Sequence, residues 1–121
     1  MNFDWKEYLN LARFLQNCCD SDFSQEASSR SSVSRAYFAA FCCARNYARD
    51  KLNFTSEKTP DVHEDVRTML EDNGMSNEAE ILDQLRKWRN ECDYEDTIHT
   101  QRLSRILTDS LKRAESLINS L

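Results

Sequence analysis

The sequence predicts an all-α fold: an up-and-down antiparallel bundle of four to five helices, forming one domain over residues 1–121. Three observations carry this expectation. The chain contains a single glycine and a single proline. A sandwich or barrel, which needs turn residues every ten positions or so, is excluded on that count, as are the glycine-rich loops of dinucleotide and nucleoside triphosphate sites. Apolar residues recur at i, i+3, i+4 and i+7 in five segments, the spacing of amphipathic helices. Short polar links join these segments and set consecutive helices side by side. The balance of 40% hydrophobic and 31% charged residues suits one globular core at this length. No apolar run approaches the roughly 18 residues that span a bilayer. The opening MNFDWKEY lacks the basic start and apolar stretch of a signal peptide. A cytoplasmic protein with no membrane partner is expected.

In chain order, Trp5, Tyr8, Leu9, Ala12 and Leu15 or Gln16 mark the first helix, which is expected to end near Cys19, before a polar link over 20–24. The second is long, about residues 24–52, with Asp22 and Gln25 at capping-box spacing. Its apolar stripe is Val33, Ala36, Tyr37, Ala40, Phe41, Ala44, Tyr47 and Ala48. The serine-rich opening SSRSS is weak helix material, so the first turns are expected to fray. Thr59-Pro60 reads as cap and first residue of the third helix. That helix carries Val62, Val66, Met69 and Leu70 and stops at Asn73-Gly74, a C-terminal glycine signal. Ser76 or Asn77 is expected to cap the fourth helix, with Glu80 at box spacing from Asn77. The fifth begins after Asp96-Thr97, and Leu103, Ile106, Leu107, Leu111, Ala114, Leu117, Ile118 and Leu121 form its stripe.

The net charge of −5 is unevenly spread: residues 1–60 hold 8 Lys and Arg against 7 Asp and Glu, and residues 61–121 hold 8 against 14. An acidic chain is a poor generic nucleic-acid binder, so RNA contact requires a local basic surface or a basic partner. The second helix offers such a surface. Arg30, Arg35, Arg45 and Arg49 fall within an arc of about 140°, shared with Phe38 and Cys42, and no carboxylate occurs between Glu26 and Asp50. This face reads either as arginines paired with acidic residues of neighbouring helices or as a subunit or RNA interface. The cysteines, Cys18-Cys19, Cys42-Cys43 and Cys92, are odd in number, and adjacent ones point about 100° apart on a helix. With no C-x-x-C and no histidine pair at ligand spacing, neither a disulfide framework nor a metal site is expected. The thiols read as small apolar residues, and no cofactor is expected.

The fourth helix, through LRKWRNECDYED, divides two kinds of residue between its faces. Ile81, Leu85, Trp88 and Cys92 share about 60° of arc and point to the core, while Arg86, Arg89, Asn90 and Asp93 share about 100° well away from it. Arg89 and Asp93 are spaced for an ion pair within the helix, worth about 0.2–0.5 kcal/mol. Such a pair does not explain two arginines and an amide on one stripe. Tyr94, on the flank, is placed to donate a hydrogen bond to a phosphate.

The stretch SRAYFAAFCCARNYARD (residues 34–50), followed about forty residues later by LRKWRNECDY (residues 85–94), resembles the HEPN domain family of prokaryotes. It is most similar to the small standalone members whose fourth helix ends in R-x-x-x-D-Y, and His63 falls where many of them have a histidine. The resemblance covers most of the chain in helix order and length. It implies a four- or five-helix bundle that homodimerises around its second and fourth helices. Many relatives are toxins that cut RNA without a metal, encoded beside a small nucleotidyltransferase (MNT) antitoxin. Their signature is R-x(4–6)-H, the two copies meeting across the dimer. In that chemistry the arginine steadies phosphate charge and the histidine serves as general acid or base.

The sequence departs from this signature. After Arg89 the histidine positions hold Tyr94, Glu95 and Asp96; after Arg86 they hold Glu91, Cys92 and Asp93. His99 lies beyond the helix end and reads as a surface residue. Arg89 and Asn90 therefore carry over, and the general acid–base does not. A tyrosine with its ordinary pKa near 10 orients a ligand or donates a hydrogen bond but is a weak base at neutral pH. In some toxin relatives a tyrosine two residues past the histidine is adenylylated by the partner enzyme; that position is Asp96 here. His63, in the first turn of a helix, has its protonated form disfavoured by the helix dipole and reads as a neutral, edge-buried side chain making one hydrogen bond.

The leading expectation is a HEPN-like subunit of a toxin–antitoxin or defence module, homodimeric and working with an MNT-type nucleotidyltransferase. Arg35, Arg86, Asn90 and Asp93 would face RNA, a nucleotide or phosphate, and Arg89 and Tyr94 would carry the chemistry of a metal-independent ribonuclease. The alternative is a non-catalytic binding or dimerisation module for a nucleotide or protein partner. A plain helical scaffold is the third reading.

Overall fold

The computed structural model of the protein describes residues 2–55 and 61–121. Five helices make the bundle: α1 (Glu7–Gln16), α2 (Gln25–Lys51), α3 (Val62–Asp72), α4 (Ser76–Tyr94) and α5 (Thr100–Ser120), with no strand among the described residues. The all-α fold is as predicted. No described helix is long and apolar enough to cross a membrane.

Helix α2 is the axis of the bundle and packs against each of the other four. Its composition makes that geometry available. Ala36, Ala39, Ala40, Ala44 and Ala48 are buried with no accessible surface, so neighbouring backbones approach closely on several sides. Val33, Val66, Leu70, Leu82, Leu85 and Leu117, drawn from four helices, fill the centre between them. The stripe read on α5 is buried from Leu103 to Ile118. Cross-helix contacts show that α1 and α2 are antiparallel, as are α2 and α4, whereas α5, antiparallel to α4 through Arg102–Glu91 and Arg113–Trp88, runs parallel to α2. Ser32 reaches Ala12 while Arg45 lies over Trp5. Likewise Arg30 reaches Cys92 while Arg89 lies over Phe38.

The serine-rich opening of α2 is helical and buried, which corrects the expectation of frayed turns. The Ser28 and Ser32 hydroxyls donate to the carbonyls of Leu15 and Ala12 on α1, the latter at 2.6 Å. Gln25 donates to Gln16 O at 3.2 Å. Small polar residues with weak propensity thus bind α2 to the end of α1, and tertiary contact overrides the local preference. Helix α1 ends at Gln16, short of the expected Cys19.

Three caps differ from the sequence reading. Ser24, not Asp22, caps α2, its Oγ accepting from Ala27 N–H at 3.1 Å. The Asp22 N–H is used in the preceding turn, donating to Asp20 Oδ1 at 2.9 Å. The cap read at Thr59-Pro60 lies outside the described residues, and α3 is capped by Asp61, whose Oδ1 accepts from Glu64 N–H at 3.0 Å. The stop at Asn73-Gly74 is as read. Gly74 has φ +78°, its N–H donates to Glu71 O at 3.2 Å, and Met75 N–H donates to Leu70 O at 2.9 Å. This paired arrangement ends a helix on a left-handed residue that glycine adopts without penalty. It leaves Met75 at the cap position of α4, with Ser76 and Asn77 already inside the first turn and no side-chain cap.

Candidate functional site

The last two turns of α4 lie against the N-terminal half of α2, and this seam gathers most of the residues singled out from sequence. The Arg89 guanidinium is held on one side by its own helix. Its Nε stands 2.8 Å from Asp93 Oδ2. The oxygen lies off the N–H axis, so the contact is an ion pair rather than an aligned hydrogen bond. Nη1 donates to Asn90 Oδ1 at 3.2 Å. On its other side are aromatic rings: the guanidinium carbon lies 5.0 Å from the centroid of Phe38 and 5.8 Å from those of Tyr37 and Tyr94. Asp93 also receives the Ser34 hydroxyl of α2, at 3.4 Å. The Tyr94 ring is 71% exposed.

Arg35 covers the opposite side of the same seam. Its guanidinium carbon is 5.1 Å from the Phe38 centroid and 4.9 Å from that of Tyr8 on α1. Phe38 thus lies in cation–π contact with two arginines, one from its own helix and one from α4. Arg86 stands apart from this group. It reaches across to α3, with Nη1 3.4 Å from Asp61 Oδ1.

Of the other α2 arginines, Arg30 is a structural strut. It pairs with Glu26 at 2.9 Å and donates to the carbonyls of Cys92 at 3.0 Å and Glu95 at 2.6 Å. In doing so it satisfies acceptors at the C-terminus of α4, where cations are favoured. An open cavity of about 700 Å³ beside the seam is lined by Lys87, Asn90, Glu91, Tyr94, Glu95 and Thr97. Two carboxylates against one ammonium make it a poor anion site, and Arg89 does not line it.

Behind the seam lies a buried couple that the sequence reading only half anticipated. The Tyr37 hydroxyl and His63 Nδ1 are 2.7 Å apart, and His63 is 6% exposed. Burial pushes the His63 pKa down to about 4, helped by the positive charge of Arg86, with Asp83, Asp61 and Glu64 pulling the other way. The imidazole is therefore neutral at pH 7. Its Nε2 is buried with no hydrogen-bond partner, and Asp83 Oδ1 is 4.0 Å away. A proton on Nε2, facing that carboxylate, leaves Nδ1 to accept from the Tyr37 O–H. Burial also raises the Tyr37 pKa to about 12, against the lowering pull of Arg86 and Arg89, so the phenol keeps its proton. The neutral, singly bonded histidine expected from sequence is what the structure contains, although burial rather than helix position is the main cause.

The chain's other histidine, His99, is an exposed cap of α5, its Nδ1 accepting from Gln101 N–H at 3.3 Å. Neither histidine is among the residues that contact Arg89. The five cysteines are free, and burial raises the thiol pKa of Cys42, Cys43 and Cys92, the last to about 11. No group of three or more potential metal ligands occurs among the described residues.

The structure therefore unites Arg35, Arg89, Asn90, Asp93 and Tyr94 around Phe38, with Arg86 apart from them and paired to Asp61. Sequence reasoning had Tyr8 and Tyr37 as core residues only and passed over Ser34. Their part in the site depends on which rings α1 and α2 bring to the arginines, and single-helix periodicity does not carry that information. A scan against protein-family models, a search of curated proteins and a search of solved structures each return no match.

Proposed function

We propose that this protein is a HEPN-like subunit of a toxin–antitoxin or defence module, in which the α2–α4 seam holds RNA or a nucleotide between two copies of the chain. An MNT-type nucleotidyltransferase is the partner this reading names. The observation that carries it is Arg89. Asp93 and Asn90 hold this arginine from one side, it leans on Phe38 from the other, and an exposed Tyr94 ring stands beside it. A guanidinium among rings suits a phosphate next to a stacked base, since arginine supplies planar donors and the ring a sequence-tolerant platform. Two chains placed seam to seam would double both.

Binding is favoured over cleavage. In-line attack by a 2′-hydroxyl needs a group that takes up and returns a proton near neutral pH. His63 is buried, neutral and engaged with Tyr37, and His99 sits at the start of α5, outside the residues that contact Arg89. The seam accordingly reads as the non-catalytic branch, with Arg89 and Tyr94 as ligand contacts.

The test is binding of a fluorescein-labelled single-stranded RNA of about 12 nucleotides, followed by anisotropy. Arg89→Ala is expected to weaken binding at least about tenfold, equivalent to about 1.4 kcal/mol, and Tyr94→Ala by a smaller factor. Unchanged affinity in Arg89→Ala, with the fold intact by circular dichroism, would remove the reading. Inducible expression of wild type and Arg89→Ala, with cellular RNA resolved on a gel, tests cleavage. Intact RNA at full expression is expected. Loss of RNA that disappears in Arg89→Ala would instead restore the ribonuclease.

A further inference from the structure

The aromatic and cationic contacts of the seam do not stop at Phe38. From Tyr94 the contacts pass to Arg89, then Phe38, then Arg35, then Tyr8 on α1. Tyr8 meets Trp5 edge to face, with centroids 5.3 Å apart, and Arg45 of α2 lies 5.5 Å over Trp5. Rings and guanidiniums thus form one connected row across three helices, every step between 4.9 and 5.8 Å. Each member keeps surface open to solvent.

Two of the three cations of the row, Arg35 and Arg45, lack a carboxylate partner among the described residues. Arg13, Arg30, Arg49, Arg67, Arg86 and Arg102 each sit within 4.0 Å of a carboxylate, as Arg89 does. Arg35 and Arg45 share the lack of such a partner, among the described residues, with Arg105 and with Arg113, which lies 5.7 Å over Trp88 away from the row. Arg45 bonds only the neighbouring Asn46 amide, and Arg35 has no protein hydrogen-bond acceptor at all among these residues, so its N–H donors are left for water or a ligand. On a chain of net charge −5, the row thus places two unneutralised cations, Arg35 and Arg45, and the Asp93-paired Arg89 among aromatic faces.

We infer that this row is the path of an extended single strand of nucleic acid, running from Tyr94 along α2 to Arg45 and Trp5, and that the ligand of the seam is an oligonucleotide rather than a mononucleotide. The inference rests on the function proposed above and specifies its ligand. Three features select this ligand. Alternating rings and guanidiniums match the alternation of bases and phosphates along a strand. Bases stack on side chains only when unpaired, which disfavours a duplex. An acidic peptide offers carboxylates to the guanidiniums but no planar groups to stack on the rings.

The test compares fluorescein-labelled oligouridylates of about 2 and about 12 nucleotides on the full chain at low salt. The long strand is expected to bind at least about tenfold more tightly than the short one. Arg45→Gln, at the end of the row remote from Arg89, is expected to weaken the long strand by about three- to tenfold and lower its salt slope by close to one phosphate's contribution. Its affinity for the short strand should not change. Arg45→Lys, which keeps charge but loses the planar contact with Trp5, should fall between wild type and Arg45→Gln.

Equal binding of the two lengths overturns the track while leaving the seam as a small-ligand site. A lowered melting temperature in Arg45→Gln with unchanged long-strand affinity does the same, and makes Arg35 and Arg45 clamps of α1 onto α2. Displacement of the long strand by polyglutamate at equal charge concentration makes the partner an acidic protein. Absence of binding at both lengths in the wild type strikes the proposed function itself, which separates the two failures.

Discussion

His63 carries the most information of any single residue in the fold. Its neutral ring is held by the Tyr37 hydroxyl, whose own ring lies under Arg89, so the buried couple fixes one wall of the seam. The pKa lowered from 6.5 to about 4 sets a sign for pH dependence. The folded state resists protonation while the unfolded chain takes up a proton near pH 6.5. Stability from this group is therefore complete above about pH 6.5 and is lost as pH falls toward about 4, an effect on the order of 3 kcal/mol. Asp61 and Glu64, whose folded pKa values are depressed by the Glu64 amide and the Arg67 guanidinium respectively, add losses in the same direction at lower pH. Urea unfolding at pH 7.5 and 4.5 on wild type and His63→Gln isolates the histidine. The wild type should lose the larger share of stability, and parallel losses would show that His63 does not titrate as described. At this scale the sequence was legible in part. A histidine in a first turn signalled a neutral ring, but its partner Tyr37 is 26 residues away in sequence, and no local pattern announces that pairing.

At the scale of elements, hydrophobic spacing and the glycine stop at Gly74 were reliable guides and N-terminal capping chemistry was not. The stripes on α2, α4 and α5 fall where they were read because burial against neighbours depends on period alone. Caps failed where several polar residues competed. Ser24 took the role assigned to Asp22, and the paired bonds at Gly74 and Met75 preceded any cap at Ser76 or Asn77. The serine run failed for the opposite reason, because its small hydroxyls are selected by α1 rather than by helix propensity. That contact predicts an asymmetry. Ser32 is fully buried and donates to Ala12 O. Ser32→Ala should cost about 0.5–1.5 kcal/mol, the net value of one hydrogen bond. Ser32→Leu forces extra volume between two close helices and should cost about 1–3 kcal/mol, with α1 loosened first in hydrogen exchange. Equal costs for the two substitutions would mean that α1 and α2 are not closely packed at this point.

For the whole molecule, the distribution of charge matters more than its sum. A net −5 sets two copies against each other at long range, and a seam-to-seam dimer also brings Arg35 and Arg89 toward their counterparts. A polyanion lying between the chains would relieve the second repulsion, that between the facing arginines, so ligand and dimer should stabilise each other as linked equilibria. Salt then acts with opposite signs in the two states. Without nucleic acid, raising ionic strength from about 0.01 M to 0.15 M shortens the screening length from about 30 Å to 8 Å and should strengthen self-association. With a bound oligonucleotide, the same change lowers the free-energy gain from counterion release and should weaken the ternary assembly. Sedimentation velocity across that range, with and without oligonucleotide, reads both slopes. Slopes of the same sign, or a single-chain mass under every condition, would place the arginine row on an outer surface and leave the aromatic contacts as internal bracing of the bundle.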